Sequence, residues 1–186
     1  MPRLNVHLVL DEKTEEYCRK VNEKVRLITD SVIVFGAGSL TRPHISLVFG
    51  DTVDETGWEA VARGMYEASA NMTTLRIAMG PSYIEAPRQS YVFSDVEEVH
   101  DNAAFALLNA AMRARLEGPM IEPDEDYSAV RHLTLAYVQA KRDEVSAFLA
   151  TLPTRWVATA CAIELSHAGP KGTCTDSLAR FEFATE

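Results

Sequence analysis

Alternate positions of "LNVHLVL" (4–10) put Leu4, Val6, Leu8 and Leu10 on one apolar face and Asn5, His7 and Val9 on the other. Successive side chains of a strand point to opposite faces, so this stretch predicts a half-buried strand. The period then lengthens. "DEKTEEYCRKVNEKVRLI" (11–28) reads as an amphipathic helix with acids in its first turns, where the helix dipole favours them. A glycine-bearing connection, "SVIVFGAGSLTRP", leads to a second strand, "HISLVFG", stopped by Gly50. A second helix is predicted over 51–70, capped by Asp51, Thr52 or Asp54, followed by strands "TTLRIAMG" and "SYVFSDV" around the turn-rich "PSYIEAPRQ".

The rest of the chain repeats that order. "AAFALLNAAMRARLEG" (103–118) is a helix of strong helix formers ended by glycine and Pro119. The loop "PMIEPDEDYSAV", the strand "RHLTLAYV", the helix "KRDEVSAFLATL" and a closing hairpin of "RWVATACAIELSHAG" and "SLARFEFA" complete it. The pattern is β-α-β-α-β-β followed by α-β-α-β-β. It predicts an α+β protein, a single domain over 1–186 whose lobes are roughly 1–98 and 99–186.

In corresponding slots of the two halves stand "TRPHISLVFG" (41–50) and "VRHLTLAYV" (130–138). Each holds a histidine followed two positions later by a hydroxyl residue, so His44 and Ser46 share one face of their strand, and His132 and Thr134 one face of theirs. Their apolar neighbours take the opposite faces, under the helices. Singly, each histidine reads as a satisfied side chain in a sheet, and each hydroxyl as a strand-favouring residue. As a matched pair they read as chemistry. Imidazole titrates near neutrality, so one ring can accept a proton while the other donates one. Displacement at phosphorus needs both transfers, and the hydroxyls can hold its non-bridging oxygens. No metal or cofactor enters that scheme.

These residues give the chain its resemblance to the 2H phosphoesterase superfamily, the 2'-5' RNA ligase-like proteins and 2',3'-cyclic nucleotide phosphodiesterases. The motifs that carry it are His44-Ile45-Ser46 and His132-Leu133-Thr134, with Arg42-Pro43 as the lead-in. The resemblance implies a bilobal pseudo-two-fold fold, with two antiparallel sheets facing a central cleft and helices outside. It also implies metal-independent opening of a 2',3'-cyclic phosphate, or a related nucleotide ester, to a 2'-phosphate. The expected partner is a small nucleotide phosphodiester or an RNA end. A binding module of the same fold with weak turnover is the alternative. Ser46 departs from the commoner threonine; it keeps the hydroxyl and loses the methyl that restrains it.

Charge narrows the substrate class. With 27 acids against 18 Lys and Arg, the formal net charge is −9, which argues against coating long nucleic acid, where clustered cations must neutralise phosphates. Phosphate contacts then fall to single cations. Arg42 shares the parity of His44, Arg76 lies opposite in parity to Leu75 and Ile77, and Lys171 sits at a Gly/Pro turn between the last strands. Arg131 points away from His132. Tyr91 and Phe93, alternating on one strand, suit core packing or base stacking. His7 shares a face with Asn5 and lacks a hydroxyl partner, so a structural or supporting role is expected. His100 and His167 read as solvated loop residues. The five histidines have no zinc-ligand spacing. Cys18, Cys161 and Cys174 are expected as free thiols in a reducing, cytoplasmic setting, with a Cys161–Cys174 bridge the one alternative. No run approaches the roughly 20 apolar residues of a membrane span.

Overall fold

The computed structural model describes residues 3–36, 39, 41–52, 57–85, 90–97, 103–116, 120–121 and 131–184. The strands are β1 (Arg3–Leu10), β2 (His44–Thr52), β3 (Leu75–Ile84), β4 (Tyr91–Val96), β5 (Met120–Ile121), β6 (His132–Tyr137), β7 (Trp156–Ala168) and β8 (Cys174–Glu182). The helices are α1 (Glu12–Ile28), α2 (Trp58–Ser69), α3 (Ala103–Leu116) and α4 (Arg142–Leu149). Asp11 caps α1 through its side chain, which accepts from the Thr14 amide at 2.8 Å.

All the strands join one antiparallel sheet in the order β1-β2-β6-β4-β3-β7-β8, with β5 on the end of β2. A further pairing of β1 with β7 closes it into a ring. The expected pair of separate sheets is therefore replaced by one closed antiparallel barrel. The reason is topological: β6 stands between β2 and β4, and β7 between β3 and β1, so strands of the second half are inserted among those of the first.

Three local expectations also change. Asp51 and Thr52 extend β2 and pair with β5, so they do not cap α2, which starts at Trp58. The turn predicted from Pro81 is instead the continuation of β3. The register shifts between Met79 and Ser82, and that bulge takes the proline, which has no N–H to give a ladder. His167, read as a loop residue, lies inside β7 opposite Leu4 and 3.8 Å from Asp176. His100 lies outside the described residues.

The alternation seen in the sequence decides the layers. Leu4, Val6 and Leu8 of β1, Ile45 and Leu47 of β2, Leu133 and Leu135 of β6 and Ile163 and Leu165 of β7 form one core with Cys18, Val21 and Val25 of α1, Met65 of α2, Leu108 and Met112 of α3 and Val145 of α4. Each such large side chain contributes roughly 1.5–3 kcal/mol by leaving water. The other face of β1, β2, β6 and β7 carries the polar residues. Among the described residues, no helix is long and apolar enough to cross a membrane.

One buried polar side chain ties the layers together. Asn22 of α1 donates to the carbonyls of Ile33 (3.0 Å) and Leu135 (2.8 Å), and its Oδ1 accepts from the Phe35 amide (3.3 Å). It thereby pins the connection after α1 against β6, helped by Ser31, whose Oγ accepts from the Tyr137 amide. Asn22→Ala leaves those groups buried and unpaired and should cost about 2–3 kcal/mol, read as a lower denaturant midpoint. A loss under about 0.5 kcal/mol, the scale of an ordinary surface change, would remove Asn22 from this role.

Candidate functional site

Ile45 of β2 stands opposite Leu133 of β6, the single register pair joining these strands. Antiparallel geometry extends it one step each way, setting His44 across from Thr134 and Ser46 across from His132. Opposed residues share a face, so both histidines and both hydroxyl residues lie on one face of the junction, with the histidines diagonal neighbours. Ile45 and Leu133 take the other face and are fully buried.

His44 is half-buried, and its Nδ1 is 2.9 Å from the carbonyl oxygen of Arg42. A carbonyl only accepts, so Nδ1 carries a proton and Nε2 is the atom free to exchange one. Nε2 faces the Asn5 amide nitrogen at 3.3 Å and the Cys174 sulfur at 3.5 Å. Asn5 Nδ2 also donates to Ser46 Oγ at 2.9 Å, so one amide spans both members of the first motif. His132 stacks face-on against Phe93 with centroids 3.9 Å apart. Phe93 in turn stacks on Tyr91 at 5.4 Å, and Tyr137 meets Tyr91 edge-on.

The cations separate. Lys171 comes to the groove beside His44 and Thr134, together with Arg42, Ile33, Phe35 and Thr173. Its ammonium lies 4.8 Å from the Tyr137 ring centroid, and its backbone adopts φ 60°, a left-handed conformation costly for a residue with a Cβ. Arg42 is exposed, borders this groove and a second one lined by Glu12, Glu15 and Glu16, and acts on His44 through its carbonyl. Arg76 stands exposed on β3 opposite Thr159, away from that groove. Arg131 is buried behind the junction. It donates to the Ser46 carbonyl (3.2 Å) and to Asn109 of α3 (2.8 Å), and burial, then Arg113, bring its guanidinium down to about 10.

Beneath His44 lies a cluster that the motifs do not announce. His7 stands in register with Ser46 and Glu164, its ring centroid 4.9 Å from that of His44. Its Nε2 is 3.6 Å from the Glu164 carboxylate, and its Nδ1 is 3.6 Å from Cys174 Sγ and 3.4 Å from the Asn5 carbonyl. Acceptors at both nitrogens call for a doubly protonated ring. Burial opposes that charge, but Cys174 and Glu164 outweigh it and raise His7 to about 9. Burial likewise opposes a Cys174 thiolate, yet His44 and then His7 bring it down to about 5. We assign the charge pair to Cys174 and His7, because His44 already has a carbonyl at Nδ1 and an amide donor at Nε2. Glu164 is lowered, chiefly by His7. Cys18 and Cys161 are pushed up by burial, and all three cysteines are free, so no Cys161–Cys174 bridge forms. The hint available in the sequence was parity: Asn5, His7 and Val9 share a face. That Cys174 would join them depended on pairing between β7 and β8, which no local pattern encodes. Among the described residues no group of three His, Cys, Asp or Glu side chains is arranged to hold a metal ion.

Solved structures with the same architecture span almost the whole chain. TT0787 of Thermus thermophilus is 18% identical, with 99% of each chain covered and a TM-score of 0.65. LigT of E. coli, complexed with 3'-AMP, is 15% identical, with 98% of each covered and a TM-score of 0.65. The chain has the 2H phosphoesterase fold. The MHV ns2 PDE domain shares it at 14% identity and a TM-score of 0.54, over 85% of this chain and 87% of that one. No family model matches the sequence, and no curated protein matches it. At these identities the 2H likeness is one of fold.

The Cys174–His7 pair makes stability pH-dependent. His7, raised, contributes stability that is present below the ordinary imidazole value and lost as pH climbs through about 9. Cys174, depressed, contributes stability that is present above the ordinary thiol value and lost as pH falls through about 5. Between an unfolded imidazole value of about 6.5 and the Cys174 value of about 5, the unfolded chain binds a proton that the folded pair does not. Denaturant titrations should therefore show wild type losing its advantage over Cys174→Ala across that window, by an amount on the order of 1–2 kcal/mol. A difference independent of pH would mean that Cys174 is buried as a neutral thiol.

Proposed function

We propose that the chain is a metal-independent phosphodiesterase that opens 2',3'-cyclic phosphates or related small nucleotide phosphodiesters. The observation that carries this reading is the β2–β6 register, which sets two imidazoles and two hydroxyls on one face. In the proposed step, water oxygen attacks phosphorus and one histidine takes its proton. The P–O3' bond breaks, the other histidine protonates O3', and a 2'-phosphate is left. Nε2 is the atom of His44 that exchanges the proton, since Arg42 holds Nδ1. Phe93 fixes the plane of His132 by stacking. Ser46 and Thr134 hold the non-bridging oxygens, Lys171 adds charge from the groove edge, and Arg42 adds it from further out. Arg76 reaches only a longer substrate.

A small nucleotide or RNA end is the substrate class that fits. LigT, of the same fold, has been crystallised with 3'-AMP, and the net charge of −9 disfavours long polyanions. A cytoplasmic setting suits three unbridged thiols. A second reading, binding with weak turnover, draws on the internal partners of His44 Nε2, because Asn5 and Cys174 compete with substrate for that atom.

The test is product analysis on cyclic mononucleotides, ADP-ribose cyclic phosphate and short RNA ends in excess chelator. Cleavage should fall at least about a hundredfold in both His44→Ala and His132→Ala, the scale of lost acid–base help, with far-UV spectra unchanged. Turnover that persists in both variants would end the two-histidine reading. Saturable binding without product would favour the second one.

A further inference from the structure

Two-histidine chemistry leaves Cys174, His7 and Glu164 without a task, although the sulfur lies 3.5 Å from the Nε2 atom that the reaction uses. Two N–H donors face that sulfur, His7 Nδ1 at 3.6 Å and Asn5 Nδ2 at 3.4 Å, with His44 Nε2 on a third side. Thiolates, not thiols, are the nucleophiles of cysteine chemistry, and they form where cations and N–H donors face the sulfur. Cys18, also buried, sits instead in the apolar core under the helices. Two of three cysteines are thus ordinary, and one is built for reactivity.

A second observation concerns the same spot. Asn5 is fully buried and its Oδ1 has no hydrogen-bond partner. Ser166, in register with Asn5, is 1% exposed and its Oγ is likewise without a partner. Asn5, whose amide nitrogen reaches the sulfur, and Ser166 opposite it thus keep buried hydrogen-bonding capacity to spare. Gly172 and Thr173, which line the groove of His44, immediately precede Cys174.

We propose that Cys174 is a site of oxidation by hydroperoxides, and that its sulfenic acid closes His44 to substrate. The closing of His44 rests on the two-histidine reading; the oxidation site does not. The thiolate attacks one peroxide oxygen, the S–O bond forms and the O–O bond breaks. Sulfur loses two electrons to the peroxide, and the departing hydroxide takes a proton from the His7 imidazolium and leaves as water. The new hydroxyl projects to one side of the 3.5 Å line from Sγ to His44 Nε2, donates to that nitrogen and removes its lone pair from the groove. An added thiol reverses the change by displacing hydroxide as water and then reducing the mixed disulfide.

The titratable groups around the sulfur are His7 on β1, His44 on β2 and Glu164 on β7, with Arg180 of β8 behind Glu164 at 3.9 Å and Lys171 three residues before. His44 and then His7 bring Cys174 down from the ordinary thiol range. Its reactivity is therefore expected to change less between pH 6 and 8 than in His7→Gln, which lacks one of the two imidazoles beside the sulfur.

The experiment treats the purified protein with submillimolar hydrogen peroxide and dimedone, maps the adduct by peptide mass spectrometry, and follows cleavage of the best cyclic phosphate in parallel. Dimedone should mark Cys174 and neither Cys18 nor Cys161, at least about tenfold faster in wild type than in His7→Gln at pH 6.5. Wild-type turnover should fall with labelling and return with dithiothreitol when dimedone is omitted. The activity of Cys174→Ser, whatever its level, should not respond to peroxide. No adduct at Cys174 in folded wild type overturns the site, and full labelling with undiminished turnover overturns the closing of His44. Labelling of Cys174 in a protein that cleaves no ester would sustain the site and count against the phosphodiesterase reading alone.

Discussion

The site depends on one register, that of β2 against β6, where Ile45 faces Leu133. Side chains alternate in strands, so a slip of one residue would carry His44 and Ser46 into the apolar core and Ile45 into the groove. Burial resists that slip from both sides. Ile45, Leu47, Leu133 and Leu135 are all fully buried, and Arg131 fastens the back of β2 to α3 through Asn109. The core and the site are then two faces of one constraint: what packs the helices down also aligns the imidazoles.

Ring closure supplies the remaining wall. Pairing of β1 with both β2 and β7 puts His7 between Ser46 and Glu164, and β8 delivers Cys174 against the pair. A buried imidazolium would be untenable alone, since desolvation of a charge costs several kcal/mol. It persists because acceptors stand at both its nitrogens. The polar face of the ring is thus an electrostatic assembly: Glu164, His7, Cys174 and His44 form a line from carboxylate to groove, with Asn5 bridging its end to Ser46.

Much of this was legible beforehand where the signal is local. The 4–10 alternation, the acid-started helix after it and the motif strands came through with ends shifted by a residue or two, because burial period and capping act within a few residues. Pro81 misled, since a bulge can admit proline to a strand and nothing nearby reveals the bulge. Asp51 and Thr52 misled as caps because β5, from the other half of the chain, recruits them into a ladder. Arg76, within a predicted strand, and Lys171, at a Gly/Pro turn, both read as single candidate cations in the sequence. Only the return of the turn at Pro170–Gly172 over Tyr137 sets Lys171 beside His44.

The sequence by itself determined the four residues that share a strand face two by two, because that follows from the pleat within each segment. It also determined which faces the helices cover. Tertiary structure decided that the pairs meet, that the sheets join into one ring, and that a third histidine and one of three cysteines lie against each other beneath the groove. Those contacts join residues 39, 130 and 167 positions apart, and no periodicity reaches so far. Long-range partners are selected by the total burial and pairing of the closed barrel, a property of the whole chain.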